Sequence, residues 1–229
     1  MKKSSKNLCI WLLVILFTWT YSSVYARQTL QVITKTITKQ LNVKAGDTLQ
    51  ILTEKAQVSV TGWKGNGIVL KLDLVSKHPK KEIAEEELAY LGYQIEQEDK
   101  LLIKNYFTID NGFRKVKGNL SARYEIKVPE KLAMKIVNKY GSLTIKSFNG
   151  FMELDTRFVN NTIENCEGEQ HIKAIFGKTE LIKSSGNSNL SLQKADLNVN
   201  YYTGNMTIKS NYGFVSLVGD HFGSIDMES

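Results

Sequence analysis

The sequence predicts an all-β fold: a parallel β-solenoid of about 18 residues per coil, preceded by an irregular β-rich capping module with one short helix. Three observations predict it. Every ninth residue from Ile136 to Leu217 is Ile, Leu or Val (Ile136, Ile145, Leu154, Ile163, Ile172, Leu181, Leu190, Val199, Ile208, Leu217), and a fixed period of this kind marks a stacked repeat. Five residues after each anchor comes a mostly glycine position, Gly141, Gly150, Val159, Gly168, Gly177, Gly186, Ala195, Gly204, Gly213 and Phe222. Such positions predict corners that need positive φ or close backbone approach. Finally, Tyr140, Phe158, Phe176 and Tyr212 recur at multiples of 18, while Phe148 and Tyr202 fall one place earlier in the intervening units. Two nonamers therefore make one coil.

Residues 1–26 read as a secretory signal, with Lys2, Lys3 and Lys6 as a basic start, Leu8 to Trp19 as an apolar stretch and Ser22 to Ala26 as a small-residue cleavage site. The apolar run is shorter than the roughly 20 residues that span a bilayer. Cys9 lies far from the cleavage site, which argues against a lipid anchor. The mature chain is then expected to begin at Arg27 and to be exported, to the periplasm or the cell surface of a bacterium. Only Cys166 survives processing, so no intramolecular disulfide can form, and its small-residue position before Gly168 predicts a buried thiol.

Residues 27–130 form the N-terminal module. Short alternating runs at 41–43, 49–52, 58–60 and 68–74 predict strands, broken by Ala45-Gly46-Asp47 and Lys64-Gly65-Asn66-Gly67. A helix is expected near 79–91, from Pro79, the acids Glu82 and Glu85 to Glu87, apolar Ile83, Ala84, Leu88 and Leu91 at helical spacing, and Gly92 as the stop. Strands return at 93–96, 101–107 and 120–128. Residues 131–229 carry the repeat. Stacked coils lie about 4.8 Å apart, so residues 18 apart become lateral neighbours, and Lys146 then faces Glu164 while Asp155 faces Lys173. The period slips by one residue at Phe222-Gly223. The strand edge at the C-terminal end is a candidate for self-association.

The stretch Val58-Ser-Val-Thr-Gly-Trp63-Lys-Gly65-Asn66, the acidic helix and nonamers such as Lys139-Tyr140-Gly141-Ser-Leu143-Thr-Ile145 and Asn211-Tyr212-Gly213-Phe-Val215-Ser-Leu217 resemble a bacterial domain-of-unknown-function family named for adhesion. They are similar also to the head domain of autotransporter-adhesin-like β-solenoid proteins of the Bacteroidota. The resemblance covers nearly all of the mature chain. It implies the fold and an envelope location, and it brings no catalytic residues.

The formal net charge is +7, of which Lys2, Lys3 and Lys6 supply three, and the remaining charges are interspersed. That pattern excludes the concentrated cationic face of a nucleic-acid binder. His78, His171 and His221 have no metal-ligand spacing, and the turns lack the carboxylates of calcium-loaded repeats. No cofactor or metal is expected. For contact, the segment Tyr106 to Lys117 groups Phe107, Phe113, Arg114, Lys115 and Lys117 around Asp110-Asn111-Gly112. The turn signal predicts a hairpin tip suited to an anionic glycan or a protein partner. Tyr201-Tyr202 is a second contact candidate, with one of the two packed inward.

The main expectation is an exported, non-enzymatic, adhesin-like protein presenting a repeat face or strand edge to an envelope glycan, a protein or another copy of itself. The alternative is a carbohydrate-active enzyme using Glu153, Asp155 and His171, with Lys173 on the next rung. A third reading, an accessory protein of an envelope stress system, also stays open.

Overall fold

The computed structural model describes residues 29–108, 115–219 and 221–228. The signal reading of residues 1–26 falls outside them. The strands are β1 (Gln31–Asn42), β2 (Thr48–Trp63), β3 (Gly67–His78), β4 (Leu91–Glu96), β5 (Leu101–Phe107), β6 (Asn119–Pro129), β7 (Ala133–Lys146), β8 (Met152–Glu164), β9 (Glu169–Ile182), β10 (Ser185–Asn200), β11 (Thr203–Asn211), β12 (Val215–Val218) and β13 (His221–Glu228), with helix α1 (Lys81–Leu88) between β3 and β4. All strands join one 13-stranded sheet whose main path runs β1-β3-β6-β2-β7-β8-β9-β10-β11-β13. The sheet is mixed. β1–β3, β3–β6 and β4–β5 are antiparallel, whereas β2 and β7 onward pair in parallel.

In the repeat the parallel register is an offset of 18: Met134 pairs Met152, Met152 pairs Gln170 and Ser188 pairs Gln170. The predicted rung neighbours meet, with Lys146 Nζ 2.7 Å from Glu164 and Lys173 Nζ 3.7 Å from Asp155. The Lys146 ammonium accordingly holds the Glu164 carboxyl below its ordinary value, by hydrogen bond and by charge. The anticipated slip also appears, as Gly204 pairs Phe222 but Asn205 pairs Ser224.

Several of these strands are longer than the usual limit of about ten residues, because each bends within its length. In β8, Met152, Leu154 and Thr156 point inward, Arg157 and Phe158 are both exposed, and Val159, Asn161 and Ile163 point inward again. The phase slip is a single left-handed residue, Phe158, with φ 56°. Both halves of the strand can then line one interior. Left-handed residues occur at Lys55, Tyr140, Phe158, Phe176, Lys194 and Tyr212, and at Ser147, Asn165, Lys183, Tyr201 and Gly219. These are two columns, one at each corner of the unit, and their alternating spacing of 7 and 11 shows that the halves are unequal. At the first corner a left-handed residue precedes the predicted corner position, and the predicted glycines Gly141 and Gly177 have positive φ themselves, 150° and 116°. The glycine provides close approach as well, since a Cβ on Gly141 would lie 2.0 Å from the Ala56 carbonyl oxygen and one on Gly177 2.2 Å from that of Val159.

The interior is apolar along the anchors but carries buried polar side chains near the first corner. Asn161 Nδ2 donates to Thr156 Oγ1 (3.0 Å) and Thr179 Oγ1 (3.2 Å), and Thr53 Oγ1 donates to Asn138 Oδ1 (3.0 Å). Cys166 is buried and free, and burial pushes its thiol up to about 11.

In the N-terminal part, β2 holds both branches. Residues 49–52 pair with β5, and 56–63 pair with β6, on the same edge and both in parallel. β5 and β6 therefore pair with β2 and not with each other. The predicted hairpin tip around Asp110-Asn111-Gly112 lies outside the described residues. The helix is shorter than expected because Leu91 and Gly92 belong to β4, pairing Phe107 and Tyr106. Gly92 lies beneath the Tyr106 ring, 2.3 Å from where a Cβ would stand, so it fits a strand contact and not a helix stop.

Candidate functional site

Both corners leave the left-handed residue outside, but they differ in which position carries the large side chain. At the second corner the residue after the left-handed one turns inward, so Phe148, Cys166, Ser184 and Tyr202 form a buried column. Tyr202 is fully buried and its hydroxyl lies 2.7 Å from Ser188 Oγ, while Tyr201 is 62% exposed. The inward partner of the tyrosine pair is therefore Tyr202.

At the first corner the left-handed residues themselves project outward. The Tyr140 and Phe158 rings stack with centroids 5.1 Å apart and planes at 4°, and Phe158 and Phe176 at 4.6 Å and 6°. Lys194 Nζ lies 5.6 Å from the centre of the Phe176 ring, and Tyr212 follows on the next rung. At the other end Lys55 Nζ sits 5.2 Å from the centre of the Phe107 ring, at the end of β5. Phe107, Lys55, Tyr140, Phe158, Phe176, Lys194 and Tyr212 thus make one ridge of rings and ammonium groups. Tyr140 and Phe158 are 47% and 44% exposed and Tyr212 is 86% exposed. Each stack covers ring faces, so the ridge shows mainly ring edges to solvent.

Beside the ridge, Lys139 and Arg157 are paired directly across β7 and β8. Neither forms an ion pair with a carboxylate among the described residues, although Glu54 stands opposite Lys139 on β2. Of the residues expected to make contacts, Phe113 and Arg114 lie outside the described residues. Lys115 and Lys117 are exposed, and the segment is anchored to α1 by the buried Glu87 carboxylate, which accepts from Lys117 N (2.6 Å) and Gly118 N (2.7 Å). That anchor had no sequence signal beyond an acid on a helix.

The Glu153, Asp155 and His171 face is an open, charged sheet surface. His171 is paired with Glu153 in register, yet its Nε2 contacts Glu169 at 2.8 Å, and its ring meets Phe151 edge-on at 5.4 Å. Glu153 is engaged by Lys135 at 2.7 Å and Asp155 by Lys173. The structure gives the supposed acid and base to different partners. No group of three metal-ligating side chains occurs among the described residues. A cleft of about 580 Å³ between β1 and the β4–β5 turn is lined by Lys39, Leu41, Ile95, Glu96 and Glu98, away from both the ridge and this face.

No family model and no curated protein matches the chain. Among solved structures it is similar to a "putative cell adhesion protein" from Clostridium sporogenes, at 10% identity and TM-score 0.37 over 85% of this chain and 99% of that one. It is similar also to a "putative adhesin" from Parabacteroides merdae, at 9% and 0.35 over 85% and 97%, and to another from Bacteroides fragilis, at 12% and 0.27 over 85% and 97%. These names agree with the family that the nonamers resemble. At such identities and scores they do not by themselves fix what this chain does.

Proposed function

We propose that the protein is an exported, adhesin-like β-solenoid without catalytic activity, which holds its first-corner ridge out to a partner of the cell envelope. The observation that carries this reading is the ridge itself: rings and cations at an 18-residue register stand outside at the first corner, whereas Phe148 and Tyr202 at the second corner are buried. In this reading 131–229 winds as the solenoid, 27–130 caps it, and residues 1–26 direct export to the periplasm or cell surface. Burying β2 beneath β5 and β6 is the role a terminal cap plays in a stacked repeat. The enzyme alternative is weakened because Glu153, Asp155 and His171 are spent on separate surface pairs, which are ordinarily solvated.

The test is to incubate residues 27–229 with envelope and host polysaccharides, recording retention together with release of new reducing or unsaturated ends. Retention without release supports the binder. Chain cleavage that is lost in His171→Ala, with folding intact, would replace it with the enzyme.

A second reading, self-association, is favoured by the last rungs, where Phe214, Val218 and Met227 are exposed on or beside β12 and β13. Sedimentation that varies with concentration, and stops varying in Phe214→Ser, would support it.

A further inference from the structure

We propose that Lys139 and Arg157, with the adjoining Tyr140 and Phe158 rings, form a binding site for the carboxylate or sulfate groups of a linear acidic polysaccharide. The inference rests on the ridge being a contact surface and names what it takes. Its first support is an electrostatic conflict. Rung after rung the charged neighbours are of opposite sign and meet as ion pairs: Lys135 with Glu153, Lys146 with Glu164, Asp155 with Lys173. Among the described ladders only Lys139 and Arg157 set like charges directly against each other. Facing like charges are unfavourable, and here neither has a carboxylate within ion-pair distance among the described residues. An anion placed between them removes the conflict. A guanidinium with open donors also matches a carboxylate or sulfate through two parallel hydrogen bonds.

The second support is shape. The ridge is exposed and repeats rung by rung, and its cations continue beyond the pair, with Lys55 on one side of the stack and Lys194 on the other. A row of anionic groups on an extended chain can follow it rung by rung, whereas a single small ligand finds no enclosure there. Exposed ring edges offer apolar contact to the C–H surfaces of a sugar chain. In an exported setting nucleic acid is not the polyanion at hand, so the acidic glycan is the occupant that fits both charge and shape.

The experiment measures binding of residues 27–229 to polygalacturonate and to dextran sulfate, each against its uncharged counterpart, methyl-esterified polygalacturonate and dextran. Wild type is expected to bind at least one charged polymer and neither neutral one, with affinity falling as salt rises. Lys139→Ala/Arg157→Ala should weaken binding at least tenfold and flatten the salt dependence, and Arg157→Lys should recover part of it. Both side chains are exposed, so a melting curve like the wild type's is expected for each variant. Equal binding to charged and neutral polymers, or a double variant that binds as wild type does, would overturn the inference. If neither charged polymer is bound while the chain still sticks to an envelope protein or a neutral glycan, this site assignment fails and the adhesin-like reading stands.

Discussion

The two corners of the repeat share a backbone device and differ in what they do with it. Both turn the chain with a left-handed residue that is usually not glycine, a conformation costing about 1–2 kcal/mol each. At the second corner the next side chain, Phe148, Cys166, Ser184 or Tyr202, fills the interior, so packing offsets the strain directly. At the first corner the next residue is small, Gly141, Val159, Gly177, Ala195 or Gly213, and the large side chain stays outside in the ring stack. Stability alone is better served by the inward arrangement. The outward one leaves apolar area exposed along several rungs, which is why the first corner is read as a recognition surface and the second as structure.

The largest expected separation is between two phenylalanines. Phe148→Ala empties a fully buried site and should cost about 3–5 kcal/mol in urea unfolding. Phe158→Ala loses two ring stacks at a half-exposed position, about 1–2 kcal/mol. Equal costs would break the comparison.

Alkali sharpens it next. Because burial pushes the Cys166 thiol up to about 11, the unfolded chain loses that proton near pH 9 while the folded chain keeps it. The folded state then binds more protons than the unfolded, so stability should be level below pH 9 and fall by about 2 kcal/mol as pH rises toward 11. The Tyr124 and Tyr202 hydroxyls, both raised by burial, steepen the loss. Cys166→Ser should lessen the part of the slope nearest pH 9.

Glycine substitutions give a smaller contrast. Lys183→Gly relieves a left-handed lysine at the second corner and should add about 0.5–1 kcal/mol of stability. Lys194→Gly relieves the same strain but removes the ammonium over Phe176, worth about 0.5–1 kcal/mol, and should be close to neutral. A similarly small effect is expected for Arg157→Glu, which converts the like-charged rung with Lys139 into an opposite one. A gain of about 0.5 kcal/mol, lost in high salt, is the outcome to look for in melting curves.

Much of this was legible in the sequence, and its limits have physical causes. The period of 18, the rung pairs Lys146–Glu164 and Asp155–Lys173 and the slip at Gly223 all follow from regular spacing, while which of Tyr201 and Tyr202 turns inward did not. The left-handed lysines at 55, 183 and 194 carry no residue-type signal, since lysine is not selected for that conformation. Asn138, Thr156, Asn161 and Thr179 break the apolar alternation; Asn138 meets Thr53 and Asn161 meets Thr179 only once rungs are stacked, while Asn161 also bonds Thr156 within β8. That β5 and β6 both pair with β2, about 50 residues or more upstream, was not legible, because local patterning carries no information on such distant pairing. The ridge was visible only in part, as recurring aromatics, because the cations Lys55 and Lys194 that extend it come from separate strands, β2 and β10.

The account is tested most directly by salt elution from immobilised dextran sulfate, comparing wild type with Arg157→Ala at the first corner and Lys183→Ala at the second. Each variant removes one exposed positive charge. The account predicts that Arg157→Ala elutes at clearly lower salt while Lys183→Ala elutes with wild type. Equal shifts in the two variants would mean that only net charge matters, and would contradict the assignment of recognition to the first corner.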